Sequence, residues 1–190
     1  MGFSPRYVRD YFAQSKLKTV LIWIVEIALV ILLAAGVSSF FCRSIVVQEG
    51  SMEPTLKAGD RALINSAAYK LSSPRRGDIV VFRAADDAKS SLHIKRVIGL
   101  PGETVQIKDG QMLSDGKTYV EQKDFPAITN PGLAEEPIKL GSGEYFVLGD
   151  NRNNSEDSRH IDVGKIKKKN ILGKLWFVVS PMDKFGILRK

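Results

Sequence analysis

Residues 20–42 read VLIWIVEIALVILLAAGVSSFFC, an almost unbroken apolar run of 23 residues. Nothing else in the chain restricts its fold so strongly. At 1.5 Å per residue, a helix of this length extends roughly 35 Å, enough to cross a ~30 Å hydrocarbon core with some tilt. A cleaved leader fits less well, because its apolar region typically spans only about 7–15 residues. A buried core helix, apolar on every side, would suit a larger domain. The single carboxylate of the run, Glu26, lies within two turns of its start, close to the headgroup region.

The flanking charge orients the span. Residues 1–19 hold Arg6, Arg9, Lys16 and Lys18 against Asp10, a net +3. Basic flanks stay on the cytoplasmic side. The expected organisation is a cytoplasmic basic segment over residues 1–19, a single membrane anchor over 20–42, and an extracytoplasmic domain over 43–190. The chain is thus expected in the cell membrane.

The net charge of +7 invites a nucleic-acid reading. The charge is dispersed, however, and no zinc-finger, basic-zipper or aromatic RNA-binding pattern accompanies it, so no nucleic-acid partner is expected. The lone cysteine, Cys42, excludes an internal disulfide and any multi-cysteine metal site.

After Arg43 the apolar runs are short, rich in valine and isoleucine, and bounded by glycine, proline and aspartate. This pattern predicts a mainly β domain with strands over residues 45–48, 61–65, 78–82, 93–99, 104–108, 145–148 and 172–179. Residues 62–71 are the nearest rival for a helix. Pro101-Gly102 and Asp109-Gly110 read as turns. Residues from about 111 to 143, with Pro126, Pro131 and Pro137, read as an irregular insertion. The run KIKKK at 165–169 reads as a solvated face, with anionic lipid headgroups as its functional alternative.

Three polar stretches carry possible chemistry. In EGSMEPTL, residues 49–56, Gly50 permits a sharp turn and Pro54 biases Glu53 towards an extended backbone. Ser51 between them is either a turn residue or a nucleophile, and no histidine is near it in sequence. In HIKRVIGLPGE, Lys95 is either an ordinary strand lysine or a base, since burial disfavours the ammonium form. In LGDNRNNSEDSRH, residues 148–160, dense Asp, Asn and Arg form either a plain polar loop or a hydrogen-bonded scaffold. A metal-dependent alternative would draw on His93, His160, Asp157 and Asp162, but no HExxH or CxxC spacing supports it.

SMEPTL, RGDIVVF, KRVIGLPGE and GDNRNNSEDSR, in this order behind an apolar anchor, resemble the motif boxes of bacterial type I signal peptidases. These are membrane-bound Ser/Lys endopeptidases. The resemblance covers the anchor and nearly all of residues 43–181, including ILGKLWFVVSP, and is nearer to the compact Gram-positive form. It implies a β-rich catalytic domain on the outer face of the cytoplasmic membrane, cutting signal peptides from secretory preproteins after small residues (Ala-X-Ala). Preprotein signal peptides and membrane lipid are the implied partners, with no cofactor and no metal.

Carried onto this chain, the resemblance makes Ser51 the nucleophile and Lys95 the general base. Ser155 would hydrogen-bond and orient the Lys95 amine, and Asp157 and Arg159 would form an ion pair behind the site. Asp78 would be structural. Ile45, Val47, Met52, Leu56 and Ile94 would line the small-residue pockets. Glu49 departs from the pattern, since some members place there a serine that donates to the oxyanion. The expectation is that Glu49 points outward and a backbone N–H serves instead. A specialised relative that processes or assembles surface pilins is the alternative function.

Overall fold

The computed structural model describes residues 5–41, 43–84, 91–121 and 124–188. Cys42 at the end of the expected anchor, residues 1–4 before it, and residues 122–123 of the expected insertion lie outside the described residues. Compactness divides the chain into two units, Met1–Phe40 and Phe41–Lys190.

The described residues of the first unit lie in one helix, α1 (Pro5–Phe41), whose last residue falls in the second unit. It begins well before the apolar run, and a proline at its first position is compatible with this because that N–H has no helical partner. Its Lys18–Gly36 window has mean hydropathy 2.5 and is entirely exposed. Among the described residues it is the one helix long and apolar enough to cross a membrane.

The second unit is mainly β. An eight-stranded antiparallel sheet contains β1 (Arg43–Val46), β2 (Arg61–Asn65), β3 (Ile79–Arg83) and β4 (Leu92–Gly99). It is completed by β9 (Glu144–Leu148), β10 (Ile166–Lys167), β11 (Ile171–Ser180) and β12 (Gly186–Ile187). Its order is β1-β2-β11-β3-β4-β9-β10, with β12 paired to β11. The long central β11 is flanked by β2 and β3, and register shifts interrupt both pairings. Such bulges bend a strand, which lets one sheet wrap its own core.

The expected strands therefore form, most with ends displaced by a residue or two. The helical rival over 62–71 shrinks to one turn, α2 (Ala68–Leu71). The segment expected to be irregular needs correction. It supplies β6 (Gln111–Ser114), β7 (Lys117–Thr118) and β8 (Ile138–Lys139), which join β5 (Thr104–Lys108) in a second sheet of order β7-β6-β5-β8. Two Asp-Gly turns make this possible: Asp109 and Gly110 have φ of 52° and 73°, Asp115 and Gly116 of 50° and 76°. Consecutive positive φ values are what a two-residue hairpin needs to match the twist of its strands.

The strands divide their side chains between separate clusters. Ile94 and Val81 pack with Val47, Met52 and Leu56, whereas Val97 and Val80 pack with Phe82, Tyr145 and Val147. Ile98, Val105 and Phe146 join the second sheet to the first. In the basic run 165–169, Lys165 pairs with Glu144 at 2.7 Å and Lys168 reaches the Ser73 hydroxyl at 3.1 Å.

Candidate active site

Ser51 sits in a single 3₁₀ turn, Gly50–Met52, between the extended residues Glu49 (φ −119°, ψ 150°) and Glu53 (φ −63°, ψ 142°). Pro54 disfavours a helical Glu53, so the turn ends there. Met52, fully buried, pins the turn to the core. The other side is held by the loop after β9: the Asn151 N–H donates to the Ser51 carbonyl at 3.0 Å and the Asn151 amide to the Gly50 carbonyl at 3.3 Å. Gly149 lies against this turn so tightly that a Cβ there would stand 2.5 Å from the Ser51 carbonyl oxygen.

Lys95 projects from β4, where it pairs with Val80 of β3. Its side chain is fully buried, and its amine donates to the Ser51 hydroxyl at 2.7 Å. Burial pushes the amine's pKa down; Glu49, then Asp157 and Glu156, oppose this without cancelling it. The ammonium form is disfavoured because it gives up hydration that the apolar surroundings do not replace. An amine with a lowered pKa thus lies at hydrogen-bonding distance from a hydroxyl.

Glu49 does not simply point outward. Its side chain is 55% exposed, yet one carboxylate oxygen lies 3.5 Å from the Lys95 amine. The expected contact between Ser155 and that amine is absent: the Ser155 hydroxyl oxygen is buried without a hydrogen-bond partner. The amine is instead turned towards Ser51 and Glu49, while Ser155 packs on Gly149.

Asp157 and Arg159 do pair, with both bonds at 2.8 Å and both residues buried. Asp157 also accepts the Gly149 N–H at 3.0 Å, which links the ion pair to the glycine beneath Ser51. Asp78 is structural in its contacts, accepting from Lys174 at 2.8 Å, Tyr69 at 3.1 Å and the Arg75 N–H at 3.0 Å.

Two further pairs had no counterpart among the expected contacts. Arg96 grips Asp150 through bonds of 2.7 and 2.6 Å, and Arg152 makes a two-bond pair with Glu121 while stacking 4.1 Å from the Phe125 ring centroid. Asp150 and Arg152 stand in the polar loop that sequence singled out, but their partners lie 54 and 31 residues away. Only the density of charge in that loop hinted at them.

Ser51 stands between two clefts. One, of about 200 Å³, is lined by Ile45, Val47, Met52 and Ile94 together with Val46 and Leu92. Leu56 is not among its lining residues: it is fully buried in the core cluster beneath, which corrects its expected role. The other cleft, about 550 Å³, is polar and bordered by Asn130, Arg152, Asn154, Ser155 and Glu156. His93 stacks on Phe82 at 5.6 Å, and Asp157 is engaged by Arg159. No group of three or more metal-ligating side chains occurs among the described residues.

The family model for signal peptidase, peptidase S26, matches residues 20–180. The chain belongs to this family. It is 36% identical over 162 residues to a probable signal peptidase I-2 of Synechocystis sp., covering 83% of this chain and 72% of that one. It is also 36% identical over 179 residues to signal peptidase I T of Bacillus subtilis, covering 90% and 91%. A crystal structure of a signal peptidase I from Enterococcus faecalis is 30% identical, covers 55% of this chain and 97% of that one, and has a TM-score of 0.44. As a family member the chain is a peptidase, and its relatives' names do not favour the pilin alternative.

Proposed function

We propose that this chain is a serine endopeptidase that removes signal peptides from exported preproteins after small residues of the Ala-X-Ala type. One observation carries the reading: a fully buried Lys95 amine 2.7 Å from the Ser51 hydroxyl. Neutral Lys95 takes the hydroxyl proton as Ser51 Oγ attacks the scissile carbonyl. The same proton passes to the leaving amine, which departs as the new N-terminus. The acyl-enzyme is then opened by water, which the amine activates in turn. The Ser51 N–H is one donor for the oxyanion, and such preorganised donors each supply a few kcal/mol, about 3–4 in known cases.

The smaller cleft suits the substrate class. Its apolar lining and volume of about 200 Å³ leave room for small side chains before the cut bond. β1 ends the large sheet and lines this cleft, so an extended peptide can add along that edge through main-chain bonds. Residues 1–19 remain cytoplasmic, 20–42 anchor the protein in the lipid, and 43–190 act outside, which concentrates the site near emerging signal peptides.

The experiment is incubation of the purified full chain with an Ala-X-Ala preprotein, with the cut bond identified by mass spectrometry. Cleavage after the second alanine, lost in Ser51→Ala, supports the proposal. Cleavage elsewhere, or undiminished by that substitution, would refute it.

A further inference from the structure

We propose that Glu49 is a displaceable counter-ion, pairing with the Lys95 amine while the site is empty and swinging aside when a peptide enters. This deepens the reading of Lys95 as the base and rests on it.

The two partners are unequal. Lys95 is fully buried and anchored in β4, whereas the Glu49 side chain is 55% exposed, with solvent to move into. Glu49 precedes the 3₁₀ turn but makes no side-chain cap bond to it. Its carboxylate lies 3.5 Å from the buried amine instead. Glu49 also borders both clefts beside Ser51, so a peptide running from one to the other must pass it.

Other charges face the amine as well. Asp157 and Glu156 come from the loop after β9, and His93 lies two residues away on β4 itself. Asp157 is committed to Arg159 through two bonds, and Glu156 contributes least of the three acids. Glu49 is therefore the close negative charge that is able to leave. An opposite charge within about 4–6 Å favours the charged form of its neighbour. While Glu49 is present, the amine holds its proton more firmly; once the carboxylate is displaced, the ammonium releases that proton to solvent and becomes the base. Glu49 is a positioning residue that sets when the base is armed.

The test compares wild type with Glu49→Gln in the full chain. The pH dependence of kcat/KM reports the free enzyme and that of kcat the substrate complex. The variant should move the kcat/KM midpoint down by about one unit while the kcat midpoint stays at the wild-type position. NMR titration of the Lys95 amine in the substrate-free proteins should show the same downward shift. An unchanged kcat/KM midpoint would overturn the proposal, as would equal shifts in both profiles, which mean that the carboxylate stays in place. Activity retained by Lys95→Met would instead sink the reading of Lys95 as base. That failure is distinguishable, because the amine titration would still respond to Glu49.

Discussion

Arg96 and Asp150 form a two-bond ion pair, at 2.7 and 2.6 Å, between the strand that carries Lys95 and the loop that holds Ser51. Arg96 also donates to the Gly77 carbonyl at 2.9 Å, so its guanidinium ties three segments together. Both side chains are buried, and removing one leaves the other's charge unpaired away from water. Arg96→Met should therefore cost about 3–5 kcal/mol in chemical denaturation. The paired change Arg96→Met with Asp150→Leu should recover most of that loss. Little loss in the single variant would show that the pair is not a clamp.

Gly149 tests how tightly the Ser51 turn is positioned. It has no positive φ, so the lack of a Cβ matters through space alone. A methyl group would press on the Ser51 carbonyl and on Ser155. Gly149→Ala should lower kcat about 100-fold, the scale of loss for a misplacement near 1 Å, while circular dichroism stays that of the folded protein. Unchanged kcat would mean that the loop is free to give way.

Lys95 should trade stability for chemistry. Its pKa in the fold is lowered, chiefly by burial. As pH falls from the ordinary lysine range towards that lowered value, the unfolded chain gains a proton that the folded one does not, and wild-type stability drops. Below the folded value both states are protonated and the difference is constant. Lys95→Met should thus melt higher than wild type, with a gap that widens as pH falls through this window and then levels off. A gap independent of pH would contradict a depressed amine pKa.

The same shift sets the pH–rate profile of the wild type. Only the neutral amine accepts the Ser51 proton, so kcat should rise with pH around a midpoint below the ordinary lysine range. A midpoint at a free lysine's value would contradict it. Chelators should leave the rate unchanged, because the proposed chemistry uses only Ser51 and Lys95; loss of activity on chelation would favour a metal route.

Much of the architecture was legible because it is local. Residues 61–65 and 104–108 alternate or cluster apolar side chains between turn signals, and β2 and β5 form with those bounds. Apart from β5, the second sheet was not legible. β7 and β8 are two residues each, β7 is fully exposed, and such strands carry no hydrophobic pattern. The hairpin signal that remained, Asp115-Gly116, lay inside a segment dominated by its prolines. For the site, motif resemblance brought Ser51 and Lys95 forward together, although 44 residues separate them and no local pattern links them. The contacts of Glu49, Gly149 and Arg96 escaped because each depends on where a distant segment lands, which strand periodicity does not encode.

The proposed chemistry requires Ser51 and Lys95 to act as one unit. The decisive measurement is preprotein cleavage by Ser51→Ala, Lys95→Met and the double variant, each verified as folded. Groups that act together lose their effect together, so each single variant should fall to the same residual rate and the double no further. A Lys95→Met variant that still cleaves at a substantial rate, or a double variant whose loss is the product of the two singles, would contradict the dyad.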